Sequence, residues 1–188
     1  YPNNNFLDTN QSLDLGDHPE SYGTLITTAA VGAVHILHPD IGNDGKPETL
    51  NGVPAVWLGA TVDAETDGQP TIDATGDDNT GIDDEDGIVA RPSWTTGGKL
   101  QFQVQVSSSA AASGLYLGVW IDWNKSGVFE TAGFSSGGEM YKVAVDTGTN
   151  ILALDAPSGF DGDPALELRL RLYVGDPGTP SPTGPVSN

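Results

Sequence analysis

The side chains best suited to chemistry in this chain are carboxylates, and they are crowded. Residues 63–87 hold ten Asp and Glu in 25 positions and no Lys or Arg. Carboxylates at that density repel one another, so a folded segment needs something to neutralise them. Asp63, Glu65 and Asp67 are spaced by two, directly after the apolar run 56–60. In an extended chain those three share one face. Asp73, Asp77, Asp78, Asp83, Asp84, Glu85 and Asp86 follow, punctuated by Gly68, Gly76, Gly81, Gly87 and Asn79. Such residues let a backbone turn its oxygens inward. Hard oxygen ligands in flexible geometry suit calcium, which takes about 6–8 of them, better than magnesium, which keeps more water. With no Cys and three scattered His, zinc has no ligand set. The plainer alternative for such a run is a solvated acidic loop.

Two further groups carry oxygens. Asp122-Trp-Asn124-Lys-Ser126-Gly127-Val-Phe-Glu130 resembles the start of a calcium loop, with oxygens at alternate positions before a Gly. It is not an EF-hand, because the twelfth position falls on Gly133 where a bidentate Glu is required. Glu130 offers closure of a shorter loop, and an ordinary hairpin is the alternative. Asp14, Asp17 and Glu20 are spaced by three around a Gly and a Pro, which a plain turn also explains. The candidate calcium ligands are therefore Asp63, Glu65, Asp67, Asp73, Asp77, Asp78, Asp83, Asp84, Glu85, Asp86, Asp122 and Asn124.

Other reactive types point less clearly. Trp120 is expected to pack against a second layer rather than to wall a ligand site, and Trp57 and Trp94 to sit in the core. His35 and His38, with no Cys or nucleophile nearby in sequence, read as structural. Ser107, Ser108, Ser109 and Ser113 decorate a turn without a spaced His and Asp to activate them. Arg169 and Arg171 share a face with Glu167. That predicts a surface ion pair, or, as the sharper alternative, a contact for an acidic peptide side chain.

The elements that must position these groups read as strands. Leu100–Val106 alternates, with Phe102, Val104 and Val106 on one face and Gln101, Gln103 and Gln105 on the other. Leu115–Ile121 repeats the pattern, and Leu166–Val174 sets five apolar residues against Glu167, Arg169, Arg171 and Tyr173. Weaker strands fit 33–37, 55–60, 140–145 and 151–154. No stretch supports a helix of three turns. Seven or so short strands joined by Gly-rich turns predict an all-β, antiparallel sandwich-like domain with long calcium-binding loops. The expected division is a leading segment over 1–13, a β domain over 14–174, and a Pro/Gly-rich exit linker over 175–188. Linkers at both ends fit a monomeric module cut from a longer chain.

Whole-chain arithmetic limits the partners. With 26 acidic against 7 basic side chains, the net charge of −19 over 188 residues repels nucleic acid and anionic membranes. No apolar run is long enough to insert into a bilayer. Zero Cys excludes a disulfide framework and a thiol nucleophile. Gly and Pro are abundant and the apolar fraction is lean, yet the period-two segments argue against disorder.

Several motifs together resemble a known family. Asp14-Leu-Gly-Asp-His-Pro-Glu-Ser-Tyr-Gly-Thr24 is similar to a DLGDAPDSYGT motif, with His18 where Ala is usual. Leu58-Gly-Ala-Thr-Val-Asp-Ala-Glu-Thr-Asp-Gly-Gln-Pro70 resembles LG..VDAE.DGQP, and 74–78, 83–87 and Trp120-Ile-Asp-Trp-Asn124 follow in order. The chain thus resembles the GEVED-type domains of bacterial secreted and surface proteins, and among them the peptide-binding domains of giant RTX adhesins. The resemblance implies a calcium-loaded β domain at the bacterial cell surface. There a bound calcium captures the free C-terminal carboxylate of peptides on other cells. An open position on calcium inverts the local field that a chain of −19 would otherwise present to a carboxylate. Two alternatives stay open: a calcium-rigidified spacer, and a calcium-dependent sugar-binding module. A two-carboxylate glycosidase is disfavoured, because it needs one carboxyl in an apolar pocket. The expected class is a non-enzymatic binding module.

Overall fold

The computed structural model describes residues 12–27, 31–74, 76, 87–95, 98–130, 138–158, 160 and 166–187. It is all-β, and a single 3-10 turn at Glu20–Tyr22 is the one helical element among the described residues. The described residues form ten strands, β1 Ser12–Leu15, β2 Ala33–Leu37, β3 Val56–Leu58, β4 Ile88–Thr95, β5 Lys99–Ser108, β6 Leu115–Ile121, β7 Met140–Val145, β8 Gly148–Asp155, β9 Leu168–Val174 and β10 Gly184–Ser187.

Three sheets result. In the first, β2 lies between β1, antiparallel, and β10, parallel. In the second, β5 is central, with β8 along one edge and β3 and β4 along the other. The third has the order β7-β6-β9, all antiparallel. Pro92 lies within β4, where the register with β5 shifts between Ala90 and Ser93. Proline donates nothing to a ladder and is confined to such edge strands and bulges.

The alternation read from sequence builds the main core. Phe102, Val104 and Val106 of β5 pack with Leu115, Leu117, Val119 and Ile121 of β6, and with Leu172 of β9. The second and third sheets therefore share one apolar interior. On the other side of β6, Trp120 forms a second cluster with Tyr22, Phe129 and Met140. Gly118 makes room for it, since a Cβ there would lie 2.6 Å from the Trp120 ring. Trp57 is buried in a smaller cluster with Ala55 and Val62. The side chain of Trp94 lies outside the described residues.

Strands reach into both end segments. The exit segment 175–188 contains β10, which pairs with β2, and the leading segment 1–13 contains the start of β1. β1 alternates over only four residues after a polar stretch, β10 carries Pro185 and no period, and tertiary contacts supply what the local pattern lacks. The Arg face of β9 is also not a surface. Arg169 is 4% and Arg171 1% exposed. Arg171 donates to the carbonyls of Val34, Ser181, Thr183 and Gly184, fastening β10 beside β2. Arg169 donates to the carbonyls of Tyr22 and Pro182.

Candidate functional site

Where β6 ends, the chain turns sharply around Asp122. Lys125 and Gly127 adopt left-handed backbone, with φ of 56° and 83°. The Asp122 carboxylate, 1% exposed, organises this turn. Its Oδ1 accepts from the Ser126 N–H at 2.9 Å. Its Oδ2 accepts from the Gly127 N–H at 2.8 Å and from the Tyr22 hydroxyl at 2.7 Å. Asn124 Oδ1 also accepts from the Ser126 N–H, at 2.8 Å. The phenol of Tyr22 is pushed above its ordinary range by burial and by the Asp122 carboxylate.

Beside this turn sits Glu139, one residue before β7 and 2% exposed. Its Oε2 accepts from the Glu130 N–H at 2.9 Å. Its Oε1 is buried with no hydrogen-bond partner among the described residues. Burial raises its pKa, and the charges of Asp122 and Glu130 push the same way, against the Glu130 hydrogen bond and the nearby Asn124 N–H. A stranded carboxylate oxygen next to a second carboxylate is a fit for a cation, and a hard one. The fit is partial. Calcium needs about 6–8 oxygens, and among the described residues no three His, Asp or Glu side chains converge to hold a metal.

The other candidates divide. Glu65 Oε2 accepts from the Leu15 N–H at 2.8 Å, and the Glu65 N–H donates to Leu13. Asp67 Oδ1 accepts from the N–H groups of Ile26 and Gly68 at 2.8 and 3.0 Å. These two carboxylates tie the acidic run to β1 and to the chain after the 3-10 turn. Asp63 is half-buried, and Asp73 is exposed. Asp77, Asp78, Asp83, Asp84, Glu85 and Asp86 lie outside the described residues. In the 14–20 group, Asp14 faces His35 at 3.4 Å, Asp17 is buried, and Glu20 accepts from the Leu25 N–H at 2.9 Å.

A cavity of about 500 Å³ opens between the first sheet, β3 and β9. Residues 166–172 line it consecutively, against 56–58 and 87–88, with His18, His35 and Asp14 on a further side. His18 is held down to about 4 by burial and by the Arg169 charge. Its ring packs edge-on to Tyr22 and Phe129. Glu167, also on the cavity wall, has its pKa raised by burial and by Asp122, and faces His18 at 3.6 Å.

The sequence pattern pointed to Asp122 and Asn124 but not to Glu139 or the cavity. Glu139 follows Gly137-Gly138 with no motif around it, and the one available signal was an acid directly preceding an apolar strand. The cavity depends on strands distant in sequence. Against known proteins, residues 116–188, from β6 to β10, match the GEVED domain family. No curated protein and no solved structure matches the chain.

Proposed function

We propose that this GEVED-domain chain is a calcium-dependent ligand-binding module of a large bacterial surface adhesin, recognising the free C-terminal end of target peptides. The observation that carries the proposal is Glu139 Oε1, buried and without a partner beside Asp122. In a chain with 26 acids and 7 bases, a cation is the missing partner of the right sign. Glu139 and Asp122 would hold it, with further oxygens from the acidic run on the sandwich-like scaffold. When bound, the ion supplies a positive centre to which a carboxylate can attach. The residues around it exclude water and hold the loop: Tyr22 and the 126–127 amides orient Asp122, and Phe129 with Trp120 walls the turn. The module binds and does not catalyse. Glu139 has the raised pKa of a general acid, but it is buried away from the cavity in which a substrate would lie.

A second reading has its own support. Glu65, Asp67 and Asp122 spend oxygens on backbone N–H groups, as in a domain whose acids and bound calcium serve the fold and take no ligand. That is the calcium-rigidified spacer. Calcium titration separates the ion from its absence: saturable binding at micromolar to millimolar calcium, weakened tenfold or more by Glu139→Gln, is expected. No calcium binding by the folded chain would remove both readings.

A further inference from the structure

The cavity lies between two strand edges that no described strand covers. β9 ends the third sheet, and β3 lies on the edge of the second away from β8. Their amide directions follow from single bonds. Asp122 N donates to Glu167 O, and Gly175 N donates to Gly114 O. In the antiparallel register of β6 with β9, this turns the backbone groups of Arg169, Arg171 and Tyr173 toward β6. Leu168, Leu170 and Leu172 therefore turn theirs outward. Likewise Gly59 N donates to Gln105 O, and Ser109 N to Ala55 O. Trp57 then faces β5, while Val56 and Leu58 face outward.

All five outward residues line the cavity. The His18 ring takes the Leu168 carbonyl. The outward groups of Leu170, Leu172, Val56 and Leu58 have no hydrogen-bond partner among the described residues. Leu172 and Val56 are buried. A buried backbone group left unpaired costs about 1–3 kcal/mol, so most find partners. A row of N–H and C=O groups on alternate residues is what another strand satisfies.

The side chains say which strand. One wall is apolar: Leu166, Leu168, Leu170 and Ile88. The other carries Arg169, Arg171, His18 and His35, with Glu167 against His18 and Asp14 against His35. Arg171 Nε and His35 Nε2 are both buried without a partner. Two of the chain's seven Lys and Arg thus stand on one wall of one cavity.

We propose that an extended peptide binds here as an added strand along the open edge of β9. Its side chains alternate between apolar residues on the Leu wall and hydrogen-bond acceptors such as Asp, Glu or Ser on the Arg171 wall. Leu168 to Leu172 accommodate about five residues at ~3.3 Å each. The inference takes its ligand class from the peptide-binding reading above and adds the mode of binding.

Amide hydrogen exchange followed by NMR tests it in two steps. In the free chain, Leu170 and Leu172 amides should exchange at least a hundredfold faster than that of Val119 in the middle of its sheet. Equal protection would mean the edge is already paired and would overturn the proposal. Free-ended heptapeptides alternating Leu or Val with Asp, Glu or Ser are then added in millimolar calcium. Binding should slow exchange at Leu170 and Leu172 tenfold or more. N-methylation of one alternate set of peptide amides should abolish binding, and of the other set should not. Peptides that bind without slowing these two amides would overturn the added strand and leave the peptide reading standing. If no peptide of the set binds, with free or amidated end, the peptide reading falls as well.

Discussion

Glu139 is the residue on which the local chemistry turns. Its carboxyl is held above the ordinary value of 4.5, first by burial and then by Asp122 and Glu130. The folded chain therefore keeps the proton more tightly than the unfolded chain. The stability from this group is full below about pH 4.5 and is lost as pH rises through the folded value. In chelator, thermal melts should show Glu139→Gln less sensitive to that rise, and more stable than the native chain at pH 7.5 by about 1 kcal/mol. In calcium the order should reverse, because Gln cannot replace the anionic ligand. An unchanged order in both conditions would remove the ion from Glu139. Asp122 has a second task beside holding the ion. It satisfies three donors, so Asp122→Ala should cost about 3 kcal/mol or more in urea unfolding in chelator, and more in calcium. The Asp122 turn was legible in the sequence because its oxygens and Gly127 are local. Glu139 was not, because its meaning lies in Glu130 and Asp122 across the fold.

At the scale of elements, the period-two runs read from sequence correspond to β5, β6 and β9, since each carries one apolar face into a shared core. The misreading was of the second face of β9. Alternating Leu and Arg is the pattern of a half-exposed strand, and here the first sheet covers the Arg side. Arg171 replaces water with four carbonyls and holds β10 in place. Arg171→Met should lower stability by at least about 3 kcal/mol and should release the 184–187 amides to fast exchange. Protected amides there in the variant would show that β10 needs no such clamp. β6 makes its own prediction. Gly118→Ala would put a methyl 2.6 Å from the Trp120 ring, and overpacking of that kind costs about 1–3 kcal/mol. A neutral melt would show that the Trp120 cluster yields. β1 and β10 escaped the sequence because four residues, alternating in β1 and Pro-bearing in β10, are too few to establish a period.

For the whole molecule, charge is the dominant fact. A net charge of −19 opposes compaction, so neutral salt should raise the melting temperature modestly by screening. Calcium at millimolar concentration should raise it well beyond an equal ionic strength of sodium chloride, because an ion held only by the folded state stabilises by mass action. The same acidity makes peptide carboxylates improbable partners unless a cation stands between. That requirement gives the most direct measurement. Peptides are titrated calorimetrically into the chain in millimolar calcium, each with a free and with an amidated C-terminus. The account predicts binding by free-ended peptides that is lost on amidation and lost in chelator. Equal binding of the free and amidated forms, or binding that persists in chelator, would contradict it.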